Sequence, residues 1–213
     1  MRLNKIITKQ EQEALTPDEI LKDLLEGNSR FTSDNFHSRD YNALKVSATI
    51  GQYPKAVILS CVDSRVPVET VFDQGIGDIF VARVAGNFEN KDILGSMEYA
   101  CKVAGSKLVF VMGHESCGAV SAACDGIELG NITHLLSNIK PAVEAVKTEG
   151  KRDSTNKKFV HDVVEKNVRL TIDRVREKSP ILKDMEDKGD IKIVGGVYSL
   201  QSGKVELLSS SDF

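Results

Sequence analysis

Residues 56–60 read Ala-Val-Ile-Leu-Ser, and residues 107–112 read Lys-Leu-Val-Phe-Val-Met. Runs this short, with no polar alternation, are neither half-exposed strands nor amphipathic helices. They fit strands buried on both faces, as in a parallel sheet with helices above and below. Each run closes on a cluster of chemically capable side chains. The first ends in Cys61-Val62-Asp63-Ser64-Arg65 and the second in Gly113-His114-Glu115-Ser116-Cys117-Gly118. The carboxyl ends of parallel strands are where α/β proteins build their sites. Two such ends, side by side, would bring these clusters together.

The rest of the chain supports that architecture. Thr16-Pro17-Asp18-Glu19 is a helix start with a capping box, and Ile20, Leu21, Leu24 and Leu25 form its apolar stripe. Residues 42–50 are weakly helical, and Gly51 suits their end. A short helix is expected from Pro67. A second strand is expected over 78–84, and Asp92 as the cap of a helix running to about Ala104 before Gly105. Residues 119–123 form a small-residue helix. Residues 131–149 are helical in pattern, with a break or kink at Pro141. Residues 158–178 predict a long amphipathic helix that Ser179-Pro180 stops. Strand residues 191–200 then turn through 201–204 into 205–208. The expected fold is α/β, with a central mostly parallel β-sheet flanked by helices and an N-terminal helical arm. One domain covers 1–213: the arm over 1–50, a core carrying the site over 54–126, and a helical segment with C-terminal strands over 127–213.

Composition narrows the function. A formal net charge of -3 gives no electrostatic case for nucleic acid. No apolar run reaches membrane-spanning length. The first thirteen residues are polar, with no apolar signal segment, so a cytoplasmic protein is expected. The four cysteines form no Cys-x-x-Cys pair and read as reduced thiols. Cys101 and Cys124 read as packing residues, and His37, His134 and His161 as surface or satisfied histidines. Gly75-x-Gly77 lacks the third glycine of a dinucleotide fingerprint.

Cys61, His114 and Cys117 supply two thiolates and one imidazole, the ligand set of a zinc site with one open position. His114 and Cys117 lie close enough in sequence for one tight loop to aim both at an ion. Two thiolates offset the charge of the ion, so activity is expected to favour mildly alkaline pH. Asp63 has two possible roles: a fourth ligand, or a carboxylate that Arg65 holds away by a bidentate pair so that it orients the nucleophile.

Cys61-x-Asp63-Ser64-Arg65 followed by His114-x-x-Cys117-Gly118 resembles the β-class carbonic anhydrases. The likeness runs from about Leu24 to Val205. The resemblance implies reversible hydration of CO2 to bicarbonate and a proton by a zinc-bound hydroxide. One Zn2+ per chain would be held by Cys61, His114 and Cys117, with Asp63 and Arg65 as the catalytic dyad. Asp63 would be the alternative fourth ligand in a closed state. It further implies that Gln52, Val66, Phe80, Tyr99 and Gly118 contact CO2 or bicarbonate. It implies a homodimer or homotetramer with active sites at the dimer interface. One subgroup of the family carries a tryptophan three residues before the first cysteine ligand, at a non-catalytic bicarbonate site. Here that residue is Ile58 and the chain has no Trp, although Arg83 matches another residue of that site. The open, water-ligated form is therefore expected near neutral pH. Two other functions remain open: hydrolysis of CS2 or COS on the same fold, and a non-catalytic zinc-binding protein. A zinc-dependent deaminase is disfavoured because Pro-Cys-x-x-Cys is missing.

Overall fold

The computed structural model describes residues 4–209. Five strands form one sheet: β1 (Ala56–Ser60), β2 (Ile79–Arg83), β3 (Leu108–His114), β4 (Lys192–Tyr198) and β5 (Val205–Leu207). Their spatial order is β2-β1-β3-β4-β5. β1 to β4 are parallel, and β5 returns antiparallel to β4. From β1 the chain goes to β2 on one side, then crosses to β3 on the other. The gap between the ends of β1 and β3 is therefore a topological switch point, where open α/β sheets leave a crevice.

Helices cover both faces, which explains the unbroken apolar runs. Every residue of β1 and β3 is buried. On one face Ala56, Ile58, Leu108, Phe110 and Met112 pack against Ile20 and Leu24. Those two residues belong to α2 (Pro17–Thr32), which Thr16 caps as the sequence predicts. The short α4 (Val68–Val71) completes that layer. On the other face Val57, Leu59, Val109 and Val111 meet Val168, Ile172 and Val175 of α9 (Lys157–Lys178). Beside them lie α5 (Lys91–Glu98) and a π-helical turn over Tyr99–Val103. The small α6 (Gly118–Cys124), α7 (Gly130–Ser137) and α8 (Lys140–Ala145) close over the site end of α9.

Glycines let α9 lie close to the sheet. A Cβ on Gly195 would come within 2.5 Å of Val168 Cγ1, and one on Gly113 within 2.7 Å of Val168 Cγ2. The two methyls of one valine thus fill the places of two absent side chains on neighbouring strands.

Several local expectations need correction. The polar N-terminal stretch contains a helix, α1 (Lys9–Ala14), started by a Thr8 capping box. α3 (Tyr41–Ala48) ends before Thr49, with Asp40 as its cap. Asn90, not Asp92, caps α5, accepting from the Ile93 N–H. The helix expected to reach about Ala104 changes to π geometry at Tyr99. The segment 131–149 is two helices, with Pro141 in the first turn of α8. Ser179 does stop α9, but its hydroxyl also accepts from Leu182 N and starts α10 (Pro180–Asp187). Among the described residues, no helix is long and apolar enough to cross a membrane.

Candidate metal centre

Register explains how distant residues meet. Ser60 pairs with Met112, so Cys61 leaves β1 beside Gly113 and His114, the last residues of β3. Ser116 then adopts a left-handed conformation, φ 52°, and turns the chain so that Cys117 faces back. Cys117 sits at the start of α6. The Sγ atoms of Cys61 and Cys117 and one ring nitrogen of His114 all lie within 4.8 Å of one another, and all three residues are buried.

The donor set fits a zinc ion. Two sulfurs about 2.3 Å from one ion at a tetrahedral angle lie about 3.8 Å apart. The sulfurs of Cys61 and Cys117 are 3.9 Å apart. His114 Nδ1 lies 2.9 Å from the Glu115 carbonyl oxygen and donates to it. That bond fixes the tautomer and leaves the Nε2 lone pair pointing inward, as in metal-bound histidines. Nε2 is buried and has no hydrogen-bond partner among the described residues. A buried ring nitrogen left unpaired costs about 1–3 kcal/mol unless something binds it. Between the sulfurs the proton is unequally shared. The Cys117 hydrogen bond, with help from the Gly86 N–H, outweighs burial and holds Cys61 down. The same bond and its own burial push Cys117 up.

Asp63 stands at the mouth. Arg65 donates to it three times: Nε to Oδ1 at 2.9 Å, Nη2 to Oδ2 at 2.7 Å, and backbone N to Oδ1 at 2.9 Å. These bonds hold the Asp63 carboxyl well below the usual carboxylate range, against the opposing effect of burial. Arg65 Nη2 also reaches the Ser116 carbonyl at 3.2 Å and so ties the two strand ends together. Asp63 Oδ2 is 3.8 Å from His114 Nε2, too far for a hydrogen bond.

Sequence reasoning missed the supports. Arg83, at the end of β2, donates to the carbonyls of Cys61 at 2.8 Å and Asp63 at 2.7 Å, fixing both ends of that turn. The Gly86 N–H donates to Cys61 Sγ at 3.3 Å. An arginine closing a strand next to the site strand was the available signal for the first; nothing local marks the second.

The remaining expected contacts scatter. Val66 is fully buried in the α2-side core, and Gly118 is exposed at the start of α6 with open space where a side chain would be. Phe80 pairs with Val57, four residues before Cys61, which is about 13 Å at about 3.3 Å per residue. Tyr99 packs edge-on against Phe80, with centroids 6.2 Å apart. Gln52 is exposed and precedes β1 altogether. Within one chain these three lie toward the opposite end of the sheet from Cys61, His114 and Cys117.

A model of the carbonic anhydrase family matches residues 56–205. Carbonic anhydrase 2 of Mycobacterium tuberculosis is 36% identical over 190 residues, covering 87% of this chain and 90% of the relative. The carbonic anhydrase of Mycolicibacterium smegmatis is 35% identical over 192 residues, covering 88% and 91%. Among solved structures, a tetrameric β-carbonic anhydrase of Sordaria macrospora superposes with a TM-score of 0.68 at 21% identity. It covers 90% of this chain and 95% of its own. With its switch-point Cys-His-Cys cluster, its mostly parallel sheet and these relatives, the chain belongs to the carbonic anhydrase family, in the β class.

Proposed function

We propose that the protein catalyses the reversible hydration of CO2 to bicarbonate and a proton, with one zinc ion held by Cys61, His114 and Cys117. The observation that carries this reading is the buried, unpartnered Nε2 of His114 facing two sulfurs 3.9 Å apart, beside a carboxylate clamped by arginine. Zinc bound there supplies Lewis acidity and an open position for water, tempered by the charge of two thiolates. The protein supplies the rest. Arg65 keeps Asp63 ionised and turned so that it can only accept a hydrogen bond. Asp63 takes that bond from the O–H of the attacking water, which aims an oxygen lone pair at the CO2 carbon. Gly118, exposed and bare, offers a backbone amide near the same mouth.

Gln52, Phe80 and Tyr99 cannot serve the site of their own chain from where they stand. They serve the site of a second copy, so that the cleft is completed at a dimer interface. The tetrameric Sordaria relative supports an assembled state. The whole chain acts as one domain.

The test is stopped-flow CO2 hydration from about pH 6.5 to about pH 9, spanning the range where zinc-bound water ionises. Zinc is assayed on the same sample. Zinc-dependent hydration that rises toward mildly alkaline pH is the expected result. A protein carrying one zinc per chain without hydration would refute the proposal, and turnover of CS2 or COS by that sample would identify the replacement.

A further inference from the structure

We infer that Asn167 is a positioning residue for the metal centre: its side-chain amide fixes Gly86, and the Gly86 N–H fixes the Cys61 sulfur. The inference rests on Cys61, His114 and Cys117 being metal ligands. Asn167 lies on α9, outside the strand-end loops, and Nδ2 donates to the Gly86 carbonyl at 2.8 Å. Gly86 in turn donates its N–H to Cys61 Sγ at 3.3 Å.

Gly86 needs an outside anchor because of its own chemistry. It is left-handed, φ 82°, and a Cβ there would run into Ile139 Cδ1. Only glycine suits that place, and glycine is the residue least able to hold its own dihedrals. Asn87 follows, also left-handed at φ 42°, and donates its N–H to Val84 to close the turn. The turn therefore has a shape but little stiffness. Asn167 supplies the stiffness from a 22-residue helix packed against β3 and β4.

The position of Asn167 argues the same way. Its neighbours on that side of α9 are Val163, Val164, Val168 and Ile172, and Asn167 is itself only 1% exposed. Its Oδ1 is buried with no partner among the described residues. An amide at that depth is unfavourable for the helix, and leucine would pack better there. Its one strong hydrogen bond goes to the loop that holds the ligand sulfur. A second tether, Arg174 to Glu89 at 2.8 Å, holds the loop farther on without touching Gly86.

Loss of the anchor should reach the metal. Hydrogen bonds to a ligand's supports orient it and withdraw charge from the sulfur, and their removal typically weakens metal binding about 10- to 100-fold. The test uses the full chain with Asn167→Leu, which keeps volume, and Asn167→Ser, which stays polar but falls short of Gly86. Thr171→Val, one turn along, is a buried polar-to-apolar control that gives up a 3.3 Å hydrogen bond from Arg174 Nη2 and leaves the Arg174 Nε–Glu89 pair in place. Zinc affinity is read by competition with a chromophoric chelator. The sulfur environment is read from the thiolate-to-cobalt charge-transfer band of Co(II)-loaded protein. Circular dichroism checks the fold.

Both Asn167 variants are expected to bind zinc about 10- to 100-fold more weakly and to shift the cobalt band. Thr171→Val should do neither. If the leucine variant fails to fold, the serine variant carries the reading. Folded variants with wild-type affinity and band overturn this inference alone, as does Thr171→Val moving both readouts equally. Wild-type protein that binds neither ion overturns the ligand assignment and this inference with it.

Discussion

Replacing Gly195 by alanine tests how closely α9 is fitted to the sheet that aims the site. The new Cβ would lie 2.5 Å from Val168 Cγ1 and 2.7 Å from Ile172 Cδ1. Carbon atoms at rest sit about 3.5–4.0 Å apart, so each contact is short by about 1 Å. Ile172 can move the tip of its side chain. Val168 cannot turn away cheaply, because a β-branched residue in a helix has one strongly preferred rotamer. The helix must lift or the valine must strain, and overpacking of this kind costs about 1–3 kcal/mol. Val168→Ala alone loses two methyl groups, about 1.6 kcal/mol of transfer free energy, plus a cavity term. In the double variant the new methyl occupies part of the space the valine leaves. The two costs should therefore fail to add, with a favourable coupling of about 1–2 kcal/mol. Urea unfolding of metal-free protein, at one protein concentration for all four species, measures this through the midpoint at constant slope. Additive costs, within about 0.5 kcal/mol, would refute the idea that Val168 stands in for the missing side chain.

Two further outcomes follow from the site. Asp63→Asn should keep wild-type zinc content and lose most CO2 turnover, read by metal analysis and stopped flow on one preparation. Because the Asp63 carboxyl is depressed when folded, its contribution to stability is present above the ordinary carboxylate pKa of about 4 and fades as pH falls below it. The stability gap between wild type and Asp63→Asn should therefore be flat from about pH 5 to about pH 8 and close in acid. The thiols should also divide. Burial pushes Cys101 up to about 12, and burial followed by the nearby Asp125 charge pushes Cys124 up to about 11. In the folded protein neither should react with iodoacetamide near pH 8, while unfolding exposes all four cysteines to alkylation. Rapid native labelling of Cys101 would contradict its packing role.

The site was legible where chemistry and strand end coincide. Cys61, Asp63 and Arg65 close one apolar run, His114 and Cys117 follow another, and the sheet register brings them together. α9 was legible because twenty-two residues carry a sustained apolar stripe. What stayed hidden depends on contacts made across the fold. Thr8 and Glu11 form a capping box inside a segment that looks merely polar. Ser179-Pro180 has the same signature whether it ends one helix or begins the next, and here it does both. Arg83, Gly86 and Asn167 belong to three separate elements, and no local pattern joins an asparagine on a helix to a sulfur 106 positions earlier. Gln52, Phe80 and Tyr99 stand apart from Cys61, His114 and Cys117 within one chain, so no pattern along a single chain joins them to that cluster.

The two sulfurs at the switch point are separated by 56 residues of chain. Between them the chain runs through α4, β2 and its turn, α5 and the π-helical turn before it reaches β3, the strand that pairs with β1. In a zinc finger the ligands are near neighbours, and the ion itself drives the peptide to fold. Here the ligand cage is a late product of long-range parallel pairing, the slowest kind of contact to form. On the zinc reading proposed above, metal capture would therefore follow folding instead of nucleating it, and the moment of uptake would mark when the centre of the sheet has closed.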